Sequence, residues 1–153
     1  MPSGHIFTVA DGDSFSYWYG VQSIHGRLFG ADAPELHQRF GKQARDRLAE
    51  LIFDKTLSWT SSRLDCYGRT VLDLWLTPGE RVAWQMIHDG LAWHTPRWSP
   101  DRQHFAQAQR QAKQARKGLW HDDEPIPPWT WRRAHREFPS PFPRTRRRRI
   151  RRP

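Results

Sequence analysis

Three short strands, a helix, two more strands and two further helices, in that order, predict an α+β fold: a five-stranded closed β-barrel with three α-helices. Strand patterns bounded by turn residues fill residues 5–29 and 56–76, and an apolar period of helical spacing fills 38–53, 80–89 and 101–117. The 153 residues are 37% hydrophobic and 13% aromatic, with 9 Trp and 8 Phe, which suffices for one core in one domain.

Residues 5–9 (HIFTV) read as the first strand, ended by the turn dipeptide Asp11-Gly12. Residues 14–19 alternate, with Phe15, Tyr17 and Tyr19 on one side, Ser14, Ser16 and Trp18 on the other, and Gly20 as the turn. Residues 21–29 make a third strand bent at Gly26, and Gly30 to Leu36 a loop. The first helix, 38–53, aligns Phe40, Ala44, Leu48 and Leu51. Strands follow at 56–61, with Leu57 and Trp59 on one face, and at 69–76, with Leu72, Leu74 and Leu76 aligned; Pro78-Gly79 ends the second. The helix at 80–89 turns Val82, Ala83, Met86 and Ile87 inward and stops at Gly90. The helix at 101–117 buries Phe105, Ala108, Ala112 and Ala115 and stops at Gly118, with Leu119 and Trp120 folding back onto it. A helix inserted after the third strand suits a barrel of the oligonucleotide-binding (OB) kind, which binds chains of nucleotides across one face. Fold alone does not fix function.

The charge is unevenly placed. Of 25 Lys+Arg and 16 Asp+Glu residues, ten Arg and one Glu lie in residues 132–153, so the net +9 resides there. We therefore divide the chain into a body, 1–131, and an Arg/Pro-rich tail, 132–153, read as extended and disordered. An arginine run binds nucleic-acid backbones through charge and counterion release; the plainer alternative is a solvated tail that aids solubility. The single cysteine, Cys66, excludes an internal disulfide and a cysteine-built zinc site. No apolar run reaches the roughly 18 residues of a bilayer span. The opening MPSGHIFTVADG lacks the basic start and apolar stretch of a signal peptide, so the chain as given reads as cytoplasmic. Nothing indicates an oligomer, and a monomer is expected. Gly41-Lys42 is followed by Gln43, so no GxxxxGK[ST] loop exists, nor does HExxH, and the eight His are scattered.

Three acids stand out by position. Asp13 follows the first strand, and Asp32 and Glu35 follow the third. Strand ends in a small barrel can approach one another, and converging carboxylates repel unless a cation sits between them; a hard divalent ion such as Ca²⁺ takes oxygen ligands of this kind. Equally, Asp-Gly is an ordinary turn and Ala-Pro-Glu an ordinary opening to a loop or helix. Arg27 stands inside the third strand and Arg69 begins the fifth. A guanidinium grips two phosphate oxygens at once, although most arginines simply pair with a neighbouring acid.

In order and with matching spacing, DGDSF (11–15), RLFGADAPE (27–35), FGKQA (40–44), DCYGR (65–69), GLAW (90–93) and AQRQAKQARKGLW (108–120) resemble the staphylococcal-nuclease-like, or thermonuclease, family. The resemblance implies an OB barrel with three helices and Ca²⁺-dependent hydrolysis of DNA and RNA phosphodiesters with little sequence specificity, giving 3′-phosphate and 5′-hydroxyl ends. It implies that Asp13 and Asp32 bind the metal, joined by the Ala33 backbone carbonyl and Glu35. It further implies Glu35 as the catalytic glutamate, Arg27 and Arg69 as catalytic phosphate-gripping arginines, and Tyr67 and Trp98 as residues lining the nucleotide site. Cys66 replaces a common basic residue, and Pro96 falls where a further tyrosine stands. The family is often secreted. The implied partners are DNA and RNA, with the arginine tail on their backbone. The alternative is a non-catalytic OB-fold nucleic-acid-binding module, against which stands the presence of all five acidic and arginine positions.

Overall fold

The computed structural model describes residues 5–77 and 79–135. Its first three strands, β1 (His5–Val9), β2 (Ser14–Tyr19) and β3 (Gln22–Leu28), form an antiparallel meander. Phe15 and Tyr17 of β2 enter the core, while Trp18 and Tyr19 at its far end are exposed. Ser14 and Ser16 on the opposite face are buried too, so both faces of the strand are covered as far as Tyr17. β3 continues through Gly26, which faces Phe15 on one side and Thr70 on the other.

There follow β4 (Ala31–Asp32), α1 (Gly41–Ile52), β5 (Ser58–Leu64), β6 (Thr70–Thr77), β7 (Glu80–Arg81), α2 (Val82–His88), β8 (Trp93–His94), α3 (Arg102–Gln114) and α4 (Pro128–Ala134). One sheet runs β1-β2-β3-β6-β5 with β7 on β6, and β4 pairs with β8 in a second ladder. The β3–β6 pairing is parallel, so the chain crosses over between them, through α1. The core between sheet and helices joins Phe15, Leu28, Leu72 and Leu74 to Leu48, Ile52, Met86, Ile87 and Phe105.

The α+β class is thus observed, but the expected barrel is corrected. Among the described residues five long strands are accompanied by three two-residue strands, there are four α-helices, and no ladder joins β5 to β1. Strand β1 is short and shifts register between Ile6 and Thr8, which bends that edge. Two-residue ladders such as β4–β8 leave no period in the sequence. The residues expected to open the second helix, Glu80 and Arg81, instead turn back onto β6 opposite Thr77 and Trp75.

Helix α1 begins three residues late because Phe40 adopts φ +65° before it. The Phe40 side chain packs on a satellite cluster of Ala112, Leu119 and Trp120. Helix α3 stops at Gln114, Arg116 turning to φ +49°. Gly118 opens a short 3-10 turn, in which Leu119 and Trp120 are buried as expected. Helix α4 has no counterpart in the sequence reading. It crosses the boundary drawn after Trp131, so Arg132 and Arg133 lie on a helix rather than in an extended tail. The rest of the tail, 136–153, lies outside the described residues. Among the described residues no helix is long and apolar enough to cross a membrane.

His94 on β8 is buried edge-on to Phe105, ring centres 5.9 Å apart. Burial, reinforced by the positive charge of Arg102, holds its pKa below the usual 6.5. The unfolded chain then binds the extra proton more readily, so stability falls as the pH drops through about 6.5. His94→Phe is expected to lose less of its urea midpoint than the wild type between about pH 7.5 and 5.5. An equal loss in both proteins would assign the acid lability elsewhere.

Candidate active site

Close backbone packing brings the acidic segments together. A Cβ at Gly12 would stand 2.6 Å from the Cβ atoms of both Ala33 and Ala44, so only glycine lets the β1–β2 turn press against the segment after β4 and against α1. A Cβ at Gly41 would collide with the Glu35 carbonyl, so α1 starts directly against the turn that carries Glu35. Within that turn the Gln38 N–H donates to the Glu35 carbonyl at 2.8 Å. The Glu35 N–H donates to Gln38 Oε1 at 3.2 Å. The β2–β3 ladder pairs Ser14 with Arg27, which sets Arg27 beside Asp13. Asp32 is fixed opposite Trp93 by the β4–β8 ladder. Arg69 is aimed by Asp65, whose Oδ1 accepts the Tyr67 and Arg69 N–H groups at 2.9 and 3.0 Å and whose Oδ2 accepts Arg69 Nε at 2.7 Å.

The result is one open cleft of about 1420 Å³ whose lining includes Asp13, Asp32, Glu35, Arg27, Arg69, Tyr67 and Trp98. Asp13 and Asp32 are buried, and a single guanidinium joins them: Arg27 Nη1 is 3.2 Å from Asp13 Oδ1 and Arg27 Nη2 is 3.2 Å from Asp32 Oδ1. Asp13 also accepts the Ser14 hydroxyl at 3.0 Å and the Ala33 N–H at 2.8 Å. Arg69 Nη1 donates to the same Ser14 hydroxyl at 3.0 Å, so one serine connects the two arginine-bearing walls. The Arg69 guanidinium lies 5.3 Å from the centre of the Tyr67 ring, and that of Arg63 lies 3.6 Å from the centre of Trp98. Cys66 is exposed on this rim, and Pro96 begins the short 3-10 turn that ends at Trp98.

A third arginine closes the acidic side. Arg132 of α4 meets Asp32 with both nitrogens, Nη1 to Oδ1 at 3.2 Å and Nη2 to Oδ2 at 2.9 Å, and its Nη1 donates to Glu35 Oε1 at 2.7 Å. Burial raises the Asp13 pKa, but Arg27, the Ala33 N–H, Arg69 and the Ser14 hydroxyl outweigh it and hold the group below the usual carboxylate range. For Asp32, burial outweighs Arg27 and Arg132 and the pKa is raised. Asp11, whose Oδ1 accepts the Asp13 N–H at 3.0 Å, is pushed up to about 7 by burial and by the charge of Asp13.

Among the described residues no three His, Cys, Asp or Glu side chains are grouped to hold a metal ion. The expected ligands Asp13, Asp32 and Glu35 share the cleft, but guanidinium groups stand between them, and Ala33 meets Asp13 through its N–H. The donor chemistry nevertheless fits a hard divalent ion. The acids offer oxygen alone, and their environment is one that already calls for positive charge. Arg132, Asp65 and Asp11 are functional candidates that the sequence reading passed over. The Asp65 side chain could have been found from its place four residues before Arg69 in a turn. Arg132 was hidden in an arginine-rich run.

The segment from residue 26 to residue 122 matches the family model described as Staphylococcal nuclease homologue. A protein called uncharacterized endonuclease from Escherichia coli is 33% identical over 129 residues, covering 84% of each chain. A protein called micrococcal nuclease from Shigella flexneri is 34% identical over 140 residues, 86% of this chain and 80% of its own. The probable staphylococcal-like nuclease CAN3 of Oryza sativa subsp. japonica is 38% identical over 110 residues, 72% of this chain and 29% of its own. The family match begins within β3 and takes in Arg27, Asp32, Glu35 and Arg69, all of which line the cleft, and the chain belongs to the staphylococcal nuclease homologue family.

Proposed function

We propose that the chain is a Ca²⁺-dependent nuclease that hydrolyses DNA and RNA phosphodiester bonds with little sequence preference, as a monomer built on an OB-type sheet. The observation that carries this reading is the convergence of Asp13, Asp32 and Glu35 with Arg27 and Arg69 on one cleft. Family membership and the names of the similar proteins support it.

Asp13, Asp32 and Glu35, with the Ala33 carbonyl, would hold the ion. When bound, Ca²⁺ supplies positive charge against a phosphate oxygen. Glu35, at the cleft surface, accepts or orients the proton of an attacking water. The water oxygen bonds to phosphorus as the bond to the 5′ oxygen breaks, so the products are a 3′-phosphate and a 5′-hydroxyl that takes up a proton. Arg69, held by Asp65 and Ser14, is aimed to meet the extra negative charge of the five-coordinate phosphorus. Arg27 acts from between Asp13 and Asp32, where it also keeps the two acids together. Tyr67 and Trp98 offer ring faces to bases, a contact that tolerates any sequence. The tail from residue 136 onward adds contacts to the backbone through its arginines.

Glu35→Gln is expected to lower cleavage of single-stranded DNA in Ca²⁺ by about 10²–10⁴-fold with an unchanged melting midpoint. Cleavage by the wild type should stop with a chelator; cleavage that survives chelation removes the metal from the reading, and binding without cleavage favours a non-catalytic module. A second expectation concerns charge. Deleting residues 136–153 should weaken binding to long polymers and flatten its dependence on salt, while turnover of a dinucleotide stays the same. A matching collapse of dinucleotide turnover would show that the tail does more than attract.

A further inference from the structure

Helix α4 lies beyond residue 122, where the family match ends, yet it supplies the guanidinium closest to Glu35. Arg132 faces Asp32 end-on, one nitrogen to each oxygen, and shares one of these nitrogens with Glu35. A planar cation therefore stands between the two carboxylates. A divalent ion bound by Asp32 must come to about 2.3–2.6 Å from a carboxylate oxygen, and Arg132 already meets both oxygens of that carboxylate. Two cations at such range repel strongly in a partly buried cleft.

Arg27 and Arg132 differ in their ability to leave. The Arg27 side chain is 19% exposed and tied to two strands' worth of acids, whereas that of Arg132 is 42% exposed and sits in the last turn of a seven-residue helix. α4 is anchored at its other end. Pro128 is buried, the Trp129 ring packs edge-on against Trp93 at 5.5 Å, and Ile126 offers its carbonyl to Gln38 Nε2 at 2.6 Å. Gln38 is also the residue that closes the Glu35 turn, so one side chain links that turn to the lead-in of α4.

We propose that α4 is an internal counter-ion arm: Arg132 takes the cation's place against Asp32 and Glu35, and it must withdraw before a divalent ion can load. This rests on the divalent-ion reading of the site given above. Metal loading and the position of α4 are then two sides of one equilibrium, each opposing the other.

The test is calorimetric titration of the full chain with Ca²⁺ alone, without nucleic acid, on the wild type, Arg132→Gln and Arg133→Gln, with hydrogen exchange of residues 126–135 followed with and without the ion. Arg132→Gln is expected to bind Ca²⁺ about tenfold tighter or more, because a competing charge has gone. Arg133→Gln, which removes the same charge from the next position, is expected to shift affinity less than about twofold. In the wild type Ca²⁺ should speed exchange in α4. Unchanged or weaker Ca²⁺ binding by Arg132→Gln, while the wild type binds and cleaves with Ca²⁺, overturns the arm alone and leaves the nuclease reading standing. Ca²⁺ binding absent from both proteins overturns the arm together with the divalent-ion reading.

Discussion

Two buried aspartates cannot both stay ionised in one cleft without a positive charge between them, and here that charge is Arg27. Taking a carboxylate out of water costs several kcal/mol even after relaxation, and removing the partner of a buried pair costs about 3–5 kcal/mol. The position of Arg27 is consequently a structural requirement of the cleft. It follows from the β2–β3 register, in which Ser14 faces Arg27, and from the β3–β6 pairing of Arg27 with Val71. A slip of one residue would turn Arg27 to the opposite face and leave Asp13 and Asp32 uncompensated. The sheet's register and the site's electrostatics are one constraint.

The same constraint separates the roles of the acids. Asp13 is wrapped by donors and held ionised, while Asp11 next to it takes the proton that the pair cannot both give up. Asp32 is held between two guanidinium groups. Glu35 stands nearer the cleft surface, with its side chain 34% exposed, where it can reach solvent. The role proposed for it above, accepting a proton from an attacking water, needs that access. Arg69 is likewise fixed within the cleft lining, since Asp65 holds its Nε and its backbone N–H and the Ser14 hydroxyl accepts from its Nη1.

Most of this site was legible because its residues sit at strand ends and turns, where a polar residue in an otherwise apolar pattern is conspicuous. Asp13, Asp32 and Glu35 follow strands, and Arg27 interrupts one. Their meeting was not legible, because it depends on packing that alternation does not encode: the approach of Gly12 to Ala33 and Ala44, and the two-residue β4–β8 ladder. Helix α4 was missed for a different reason. Seven residues give no helical period, and PPWTWRRA lies against an arginine-rich stretch whose composition reads as a tail. Only the prolines at its start mark it as a helix beginning. Arg132 thus looks like one of ten interchangeable charges in sequence and occupies a unique place in the fold.

On the nuclease reading proposed above, the charge of the cleft links cation and substrate. Its lining holds five arginines, Arg27, Arg63, Arg69, Arg132 and Arg133, and five acids, Asp11, Asp13, Asp32, Glu35 and Asp65. Arg27, Arg69 and Arg132 are each held by a carboxylate, which limits their hold on a polyanion. Adding a divalent charge to the acids reverses this: the carboxylates lose their claim on the guanidinium groups, which become available to phosphate oxygens. By reciprocity, phosphate bound to those arginines leaves the acids less compensated and strengthens their hold on the cation. A cleft so arranged would take up substrate and ion as a pair. The near-equal numbers of acids and arginines in this small volume are what make it so.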